Sequence, residues 1–286
     1  MAVKILDKEI IMREKHSTSF HEFISLDTEQ LRTNFLIEEL FKINSIEINY
    51  AYSDRMIVGG ACPQNTLELT PVSVLHQNYF LERREMGVIN IGGTGSICVN
   101  DVEFELNTRD GLYIGMGNES IQFSSLDASN PAKFYFISTP AHCTFPTTKI
   151  SFSSVGKVDL GSVSAANERT LYKYIHPEGV KSCQLVMGFT DLKEGSVWNS
   201  IPPHTHERRS EIYCYFDMPQ QDIVFHFMGS KDQTKHIVVK NEQAVLSPYW
   251  SIHSGAGTTR YAFIWAMAGE NQLFQDAQSI DISELK

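Results

Sequence analysis

Two histidines one residue apart, His204 and His206, a glutamate at 211 and a third histidine at 253 are the side chains whose types and spacing could do chemistry. They stand in "PPHTHERRSEIYCYF" and "LSPYWSIHSG". In extended chain, side chains alternate between faces, so His204 and His206 share one face while Thr205 and Glu207 look away. "ERRS" reads as a tight turn, after which Glu211 opens a further strand on the same inner face. His253 follows Pro248 by five residues, on a later strand that closure of a barrel would bring alongside. Three imidazoles and a carboxylate make an N3O donor set. It suits Zn, Fe, Mn, Ni or Cu and leaves a position for water or substrate. An ionised Glu211 in an apolar interior needs a partner, and a divalent cation is one. The histidine pair alone would equally describe two surface side chains; the carboxylate and the later P-x4-H unit tip the reading toward a metal.

Other candidates surround this set. Tyr213 and Tyr215 follow Glu211 at period two, either lining a pocket or packing with a satisfied hydroxyl. His226, in "VFHFMG", is either a proton carrier near neutral pH or a core histidine. Arg208 and Arg209 lie in the turn beside the metal set. They read as guanidiniums that grip a substrate carboxylate or as solvated and subunit-contact charges.

These residues need elements to position them. Helix signals are few: "LDTEQLRTNFLIEELF" has Asp27 as N-cap with Gln30 three residues on, and Ser164–Ile175 could hold a short helical turn. "EFELNTRDGLYIGMG", "KFYFIS", "EIYCYF", "IVFHFMG", "HIVVKNEQAVLSP" and "YAFIWAMAG" read as strands between turn residues, which points to a sandwich or barrel. "FLERREMGVINIGG" and "THERRSEIYCYFDM" share "ERR" before a strand-like run, at comparable points of two similarly patterned halves. The pattern suggests a duplicated barrel, with Thr139–Ser162 as the connection. With "ERR" aligned, His204 and His206 fall opposite Tyr79 and Leu81, Glu211 opposite Met86, and His253 opposite Ile121. The first barrel then holds no metal. The fold expected is all-β, two cupin-like barrels with a short helical N-terminal segment. Residues 1–50 form an arm with one helix, 51–150 the metal-free barrel and 151–286 the metal-binding barrel.

Composition narrows the partners. The 286 residues carry a net charge of −10, so a broad basic face for nucleic acid is not expected. The five cysteines form no CxxC pair, as in a reducing compartment. "MAVKILDKEIIMREKHS" is unlike a signal peptide, and no apolar run approaches a membrane span, so a cytoplasmic location is expected.

"HTHERRSE" followed by "PYWSIH" resembles the two metal motifs of the cupin superfamily, with Trp250 where that pattern usually has glycine. "RMIVGG", "YFLERREMGVINIGG", "PAKFYF", "KNEQAVLSPYWSIHSGAGT" and "FIWAMAGENQ" extend the likeness across nearly the whole chain. Together they resemble the 5-keto-4-deoxyuronate isomerase family. That resemblance implies one Zn2+ per chain on His204, His206, Glu211 and His253, and a homohexamer. It also implies a small anionic sugar acid as substrate, 5-dehydro-4-deoxy-D-glucuronate, isomerised to 3-deoxy-D-glycero-2,5-hexodiulosonate. Zinc-bound hydroxide, Tyr213 and His226 all stay open as the base. A cupin dioxygenase using iron or copper and a non-catalytic sugar-binding bicupin are the competing expectations.

Overall fold

The computed structural model describes residue 10 and residues 12–286, so the signal-peptide reading falls largely outside the described residues. Alternating apolar runs broken by Gly, Asn and Asp turns fold into two pairs of sheets. In the first pair, a seven-stranded sheet runs in the order Met12–Lys15, Ile46–Ala51, Ile57–Ala61, Phe134–Pro140, Arg84–Asn90, Gly111–Ile114, Thr148–Ile150. A four-stranded sheet contains Leu67–Glu68, Ile121–Ser125, Gly95–Val99 and Val102–Leu106. Val88 and Phe136 from one sheet and Ile97 and Phe123 from the other share a single apolar core.

The second pair repeats the order. Its larger sheet runs Gly156–Leu160, Arg169–Ile175, Val186–Leu192, Ala262–Gly269, Arg209–Phe216, Gln243–Ser247, Leu36–Ile37. The smaller one runs Gln233–Val239, Val224–Ser230, Ile252–Gly257, Trp198–Thr205, Gln278–Ser279. The strands that "ERR" opens, Arg84–Asn90 and Arg209–Phe216, hold the same place in both halves. Three of the four aligned positions in the first half, Leu81, Met86 and Ile121, are apolar and buried in its core, and Tyr79 is half-buried.

Two expectations change, for the arm and the connection, and a third, the helical turn near Ser164, holds with a strand after it. The arm has two helices, α1 (Phe20–Ser25) and α2 (Thr28–Phe35), not one. Each opens on a capping box, Ser19 with Glu22 and Asp27 with Gln30, which satisfies the otherwise unpaired first N–H groups. The second helix stops at Phe35 because Leu36–Ile37 extends to pair with Val245 and Ala244 of the second barrel. In Ser164–Ile175, a 3-10 turn at Val163–Ala165 is followed by a strand, Arg169–Ile175, whose β-branched and aromatic residues pair with Met187–Leu192. The connection Thr139–Ser162 also carries strands, Thr148–Ile150 and Gly156–Leu160, so its Ser- and Gly-rich composition marks turns within sheets.

The arm is clasped to the second barrel. Lys235 Nζ donates to the carbonyls of Phe23, Ile24 and Leu26 at 3.0, 3.0 and 2.6 Å, and Arg32 donates to Val238 O. Between the barrels, the buried carboxylate of Glu85 accepts three successive backbone N–H groups, from Cys183, Gln184 and Leu185, at 2.6–2.9 Å. It also accepts the Tyr113 hydroxyl at 2.7 Å.

Candidate metal centre

Antiparallel pairing of Trp198–Thr205 with Ile252–Gly257 sets His204 directly opposite His253. His206 stands just past the first strand's end, and a two-residue turn returns the chain into Arg209–Phe216, where Glu211 faces inward. His206, Glu211 and His253 are buried and His204 is partly exposed. One donor atom from each of the four lies within 4.8 Å of all the others.

The closest approaches are Nε2 of His253 to Nε2 of His204 at 3.0 Å and Nε2 of His204 to Nε2 of His206 at 3.2 Å. Glu211 Oε2 lies 2.9 Å from His253 Nε2 and 3.3 Å from His206 Nε2. Metal–ligand bonds of about 2.0–2.2 Å require neighbouring donors about 3 Å apart, so the spacing fits a cation. Hydrogen bonding accounts for it only in part: the imidazole pairs and the His253–Glu211 contact lie at hydrogen-bond distance, but the geometry leaves Glu211 Oε2 buried without a well-aligned donor. Ring nitrogens that face one another direct lone pairs together unless a proton or a cation lies between. The residues therefore fit a divalent metal ion.

Electrostatics agree. Burial alone pushes the Glu211 carboxyl up, but attraction to His253 and the close imidazoles of His206 and His253 outweigh it and hold it below the usual range. Burial, reinforced by His253, lowers His204 to about 3 and keeps it a neutral donor. A second layer orients the rings. Ser247 Oγ lies 3.2 Å from His253 Nδ1, and Ser247 is the direct ladder partner of Glu211.

The structure separates the two arginines. Arg208 is exposed, pairs with Glu270 at 2.9 Å, and lines an open groove of about 450 Å³ with Thr205, Glu207, Tyr249 and Trp250. Arg209 is 1% exposed, so it is neither a solvated turn charge nor a surface contact. Its Nη2 donates to Leu273 O at 2.8 Å and lies 3.2 Å from His206 Nδ1, on the side of that ring away from the cluster. A guanidinium only donates, so a cation on His206 Nε2, which puts the proton on Nδ1, would loosen that contact.

Deeper in the barrel, Tyr213 packs its ring on His253 and shares a hydrogen bond with Ser200 at 3.0 Å. Burial, with Glu211 adding to it, raises its pKa well above the ordinary value, so it stays protonated. His226 is fully buried, with Nδ1 2.8 Å from the Tyr215 hydroxyl and Nε2 without a partner. Burial, with His253 adding to it, lowers it to about 3. Gly255 leaves the space where Asn199, Tyr215 and Tyr261 converge; a Cβ there would come within 2.9–3.2 Å of their polar atoms. Ser200, Ser247 and Asn199 were not singled out in the sequence. Only the period-two alternation before Pro248 points to Ser247.

Trp250 has its own explanation. Its ring packs against Phe20, Phe23 and Phe35 of the arm, and its Nε1 donates to Thr18 O at 3.1 Å. The bulky residue fills the turn because the arm covers it, and His253 keeps its place.

A family model described as KduI/IolB matches residues 36–283. The chain belongs to the KduI/IolB family. Among KduI/IolB relatives, the 4-deoxy-L-threo-5-hexosulose-uronate ketol-isomerase of Caldicellulosiruptor bescii is 54% identical over 266 residues, covering 93% of this chain and 96% of the relative. The enzyme of the same name from Bacillus subtilis is 49% identical over 276 residues, covering 96% and 100%. Among solved structures, an IolB-like protein from Salmonella typhimurium aligns with a TM-score of 0.68 at 16% identity, over 84% of this chain and 94% of that one. A mutant of Bacillus subtilis oxalate decarboxylase aligns at 0.59 and 8%, over 86% and 79%. These structural likenesses carry the fold, two cupin-like barrels. Among the described residues, no helix is long and apolar enough to cross a membrane.

Proposed function

We propose that this protein is a metal-dependent ketol-isomerase that converts 5-dehydro-4-deoxy-D-glucuronate to 3-deoxy-D-glycero-2,5-hexodiulosonate, a step of uronate catabolism. Its KduI/IolB relatives carry that enzyme name at 49–54% identity over nearly their full length. The observation that carries the metal dependence is the buried convergence of His204, His206, Glu211 and His253. These four would hold a divalent ion, and zinc suffices because aldose–ketose isomerisation needs no net redox change. When bound, such an ion supplies a Lewis acid for the carbonyl and adjacent hydroxyl.

The chain's own residues have separable tasks. Moving a carbonyl between C1 and C2 through an enediol requires a proton to leave one carbon and return to the other. His226, neutral and with an unpartnered Nε2, is the side chain free to take it up; burial lowers its pKa to about 3, so it would hold the proton only briefly before returning it. Tyr213 stays protonated against His253 and is suited to donate a hydrogen bond to the oxygen on which charge develops. Of the two turn arginines, only Arg208 is exposed enough to meet the substrate's carboxylate.

The test is elemental analysis of the purified protein, with turnover of the keto-deoxyuronate measured on wild type, His204→Ala and His253→Ala. One equivalent of metal with turnover, both lost in the variants, is the expected result. Turnover that survives loss of the metal overturns the metal dependence. Oxygen consumption without isomerisation overturns the reaction.

A further inference from the structure

Among the described residues the one cluster that could hold a metal lies in the second barrel, yet a loop of the first barrel reaches it beside Glu211. We propose that Asp54 is a positioning residue for Glu211, so that the metal-free barrel sets the geometry of the other barrel's site. The inference rests on the metal-site reading above.

Asp54 lies in the Tyr52–Met56 loop between the strands Ile46–Ala51 and Ile57–Ala61. Its Oδ2 accepts the backbone N–H of Ser210 at 2.8 Å, one residue before Glu211. On one side Ser210 is in register with Ala268; on the other no residue of Gln243–Ser247 faces it. The ladder with Gln243–Ser247 ends at the Glu211–Ser247 pair, where Pro248 begins the next turn. Asp54 therefore supplies the acceptor that a longer neighbouring strand would have supplied, at the place where Glu211 must be held.

The loop is built for this contact. Asp54 and Arg55 both adopt left-handed backbone, φ 49° and 54°, an unfavourable state for consecutive residues that are not glycine. The strain is held from behind by Arg84, 3% exposed, whose Nη2 donates to Arg55 O at 2.6 Å and to Ser138 O at 2.8 Å. Arg84 is the last residue of the first "ERR" and Arg209 the last of the second. Both are buried: Arg209 contacts His206 itself, whereas Arg84 is linked to the site only through the backbone of the Asp54 loop. A water-sized space of about 10 Å³, lined by Ser53, Met56, Ser210, Glu211 and Ser247, lies beside the Asp54–Ser210 contact.

Three variants separate the possible roles. Asp54→Asn keeps an acceptor and a residue tolerant of left-handed backbone. Asp54→Gly removes the acceptor and relieves the strain, and Asp54→Ala removes the acceptor and keeps the strain. Two readouts apply. Backbone hydrogen exchange of the Arg209–Tyr213 segment is followed in chelator-treated protein, and zinc affinity is measured by competition with a chromogenic chelator. We expect about tenfold faster exchange and about tenfold weaker zinc binding in both Asp54→Gly and Asp54→Ala, the scale typical of outer-shell substitutions, and near wild-type values in Asp54→Asn. Exchange and affinity unchanged in Asp54→Gly would overturn the inference. So would equal loss in Asp54→Asn, which keeps an acceptor at the same place. Wild-type protein that binds no zinc would sink the metal-site reading instead, and the exchange data would still decide whether Asp54 fixes the strand.

Discussion

His226 offers a prediction that links burial to both stability and turnover. It is fully buried, and its pKa falls from 6.5 to about 3, first through burial and then through His253. The folded protein therefore resists protonating this ring, while the unfolded chain takes up a proton once the pH drops below 6.5. The sign follows: the contribution is fully present above 6.5 and is lost as the pH falls toward 3. At about pH 5 the unfolded form binds nearly one more proton at this site than the folded form, which removes about 2 kcal/mol. His226→Gln cannot titrate and keeps a polar partner for the Tyr215 hydroxyl. Urea unfolding of chelator-treated protein at about pH 7.5 and about pH 5 should show wild type losing about 2 kcal/mol more than the variant. His204, lowered in the same direction, is present in both proteins and cancels. The same variant should keep its metal and lose turnover. Equal acid losses in the two proteins would show that the ring is hydrated or already charged in the fold, and the proton-carrier assignment would fall with it.

Other expectations follow from the same geometry. Glu211→Gln removes the only carboxylate of the set and should abolish stoichiometric metal, as read by elemental analysis, while leaving circular dichroism unchanged. Gly255→Ala presses a methyl group on Asn199, Tyr215 and Tyr261 and should cost about 1–3 kcal/mol in urea unfolding. Glu85→Ala strands three backbone N–H groups between the barrels and should cost about 3 kcal/mol or more, with faster proteolysis near residues 182–185. A chelator added to wild type should lower the thermal midpoint, and zinc should restore it, because an ion that binds only the folded form stabilises it.

The donor set could be read from the sequence because strand periodicity is strict: His204 and His206 at i and i+2 had to share a face, and Glu211 could only rejoin them after a turn. The duplication was legible for a related reason, since "ERR" opens equivalent strands. The role of its final arginine was not. A guanidinium in a polar turn looks solvated until tertiary packing buries it, as it does Arg84 and Arg209. Ser19–Glu22 had the same capping signature as Asp27–Gln30, but its helix is a short one, without the apolar periodicity that reveals longer helices. Leu36–Ile37 was the hardest element to find. A two-residue strand has no period, and its partner lies more than two hundred positions away.

That distant pairing has a consequence for synthesis and for engineering. The second barrel borrows its outermost strand, Leu36–Ile37, from a segment made long before Gln243–Ser247 leaves the ribosome. Until then Leu36–Ile37 has no ladder partner, although Met12–Lys15 ahead of it can already pair with Ile46–Ala51 of the first barrel. A fragment starting at residue 151 would leave the Gln243–Ser247 edge bare, open to pairing with other chains. The halves repeat one another in design, yet they cannot be separated with scissors.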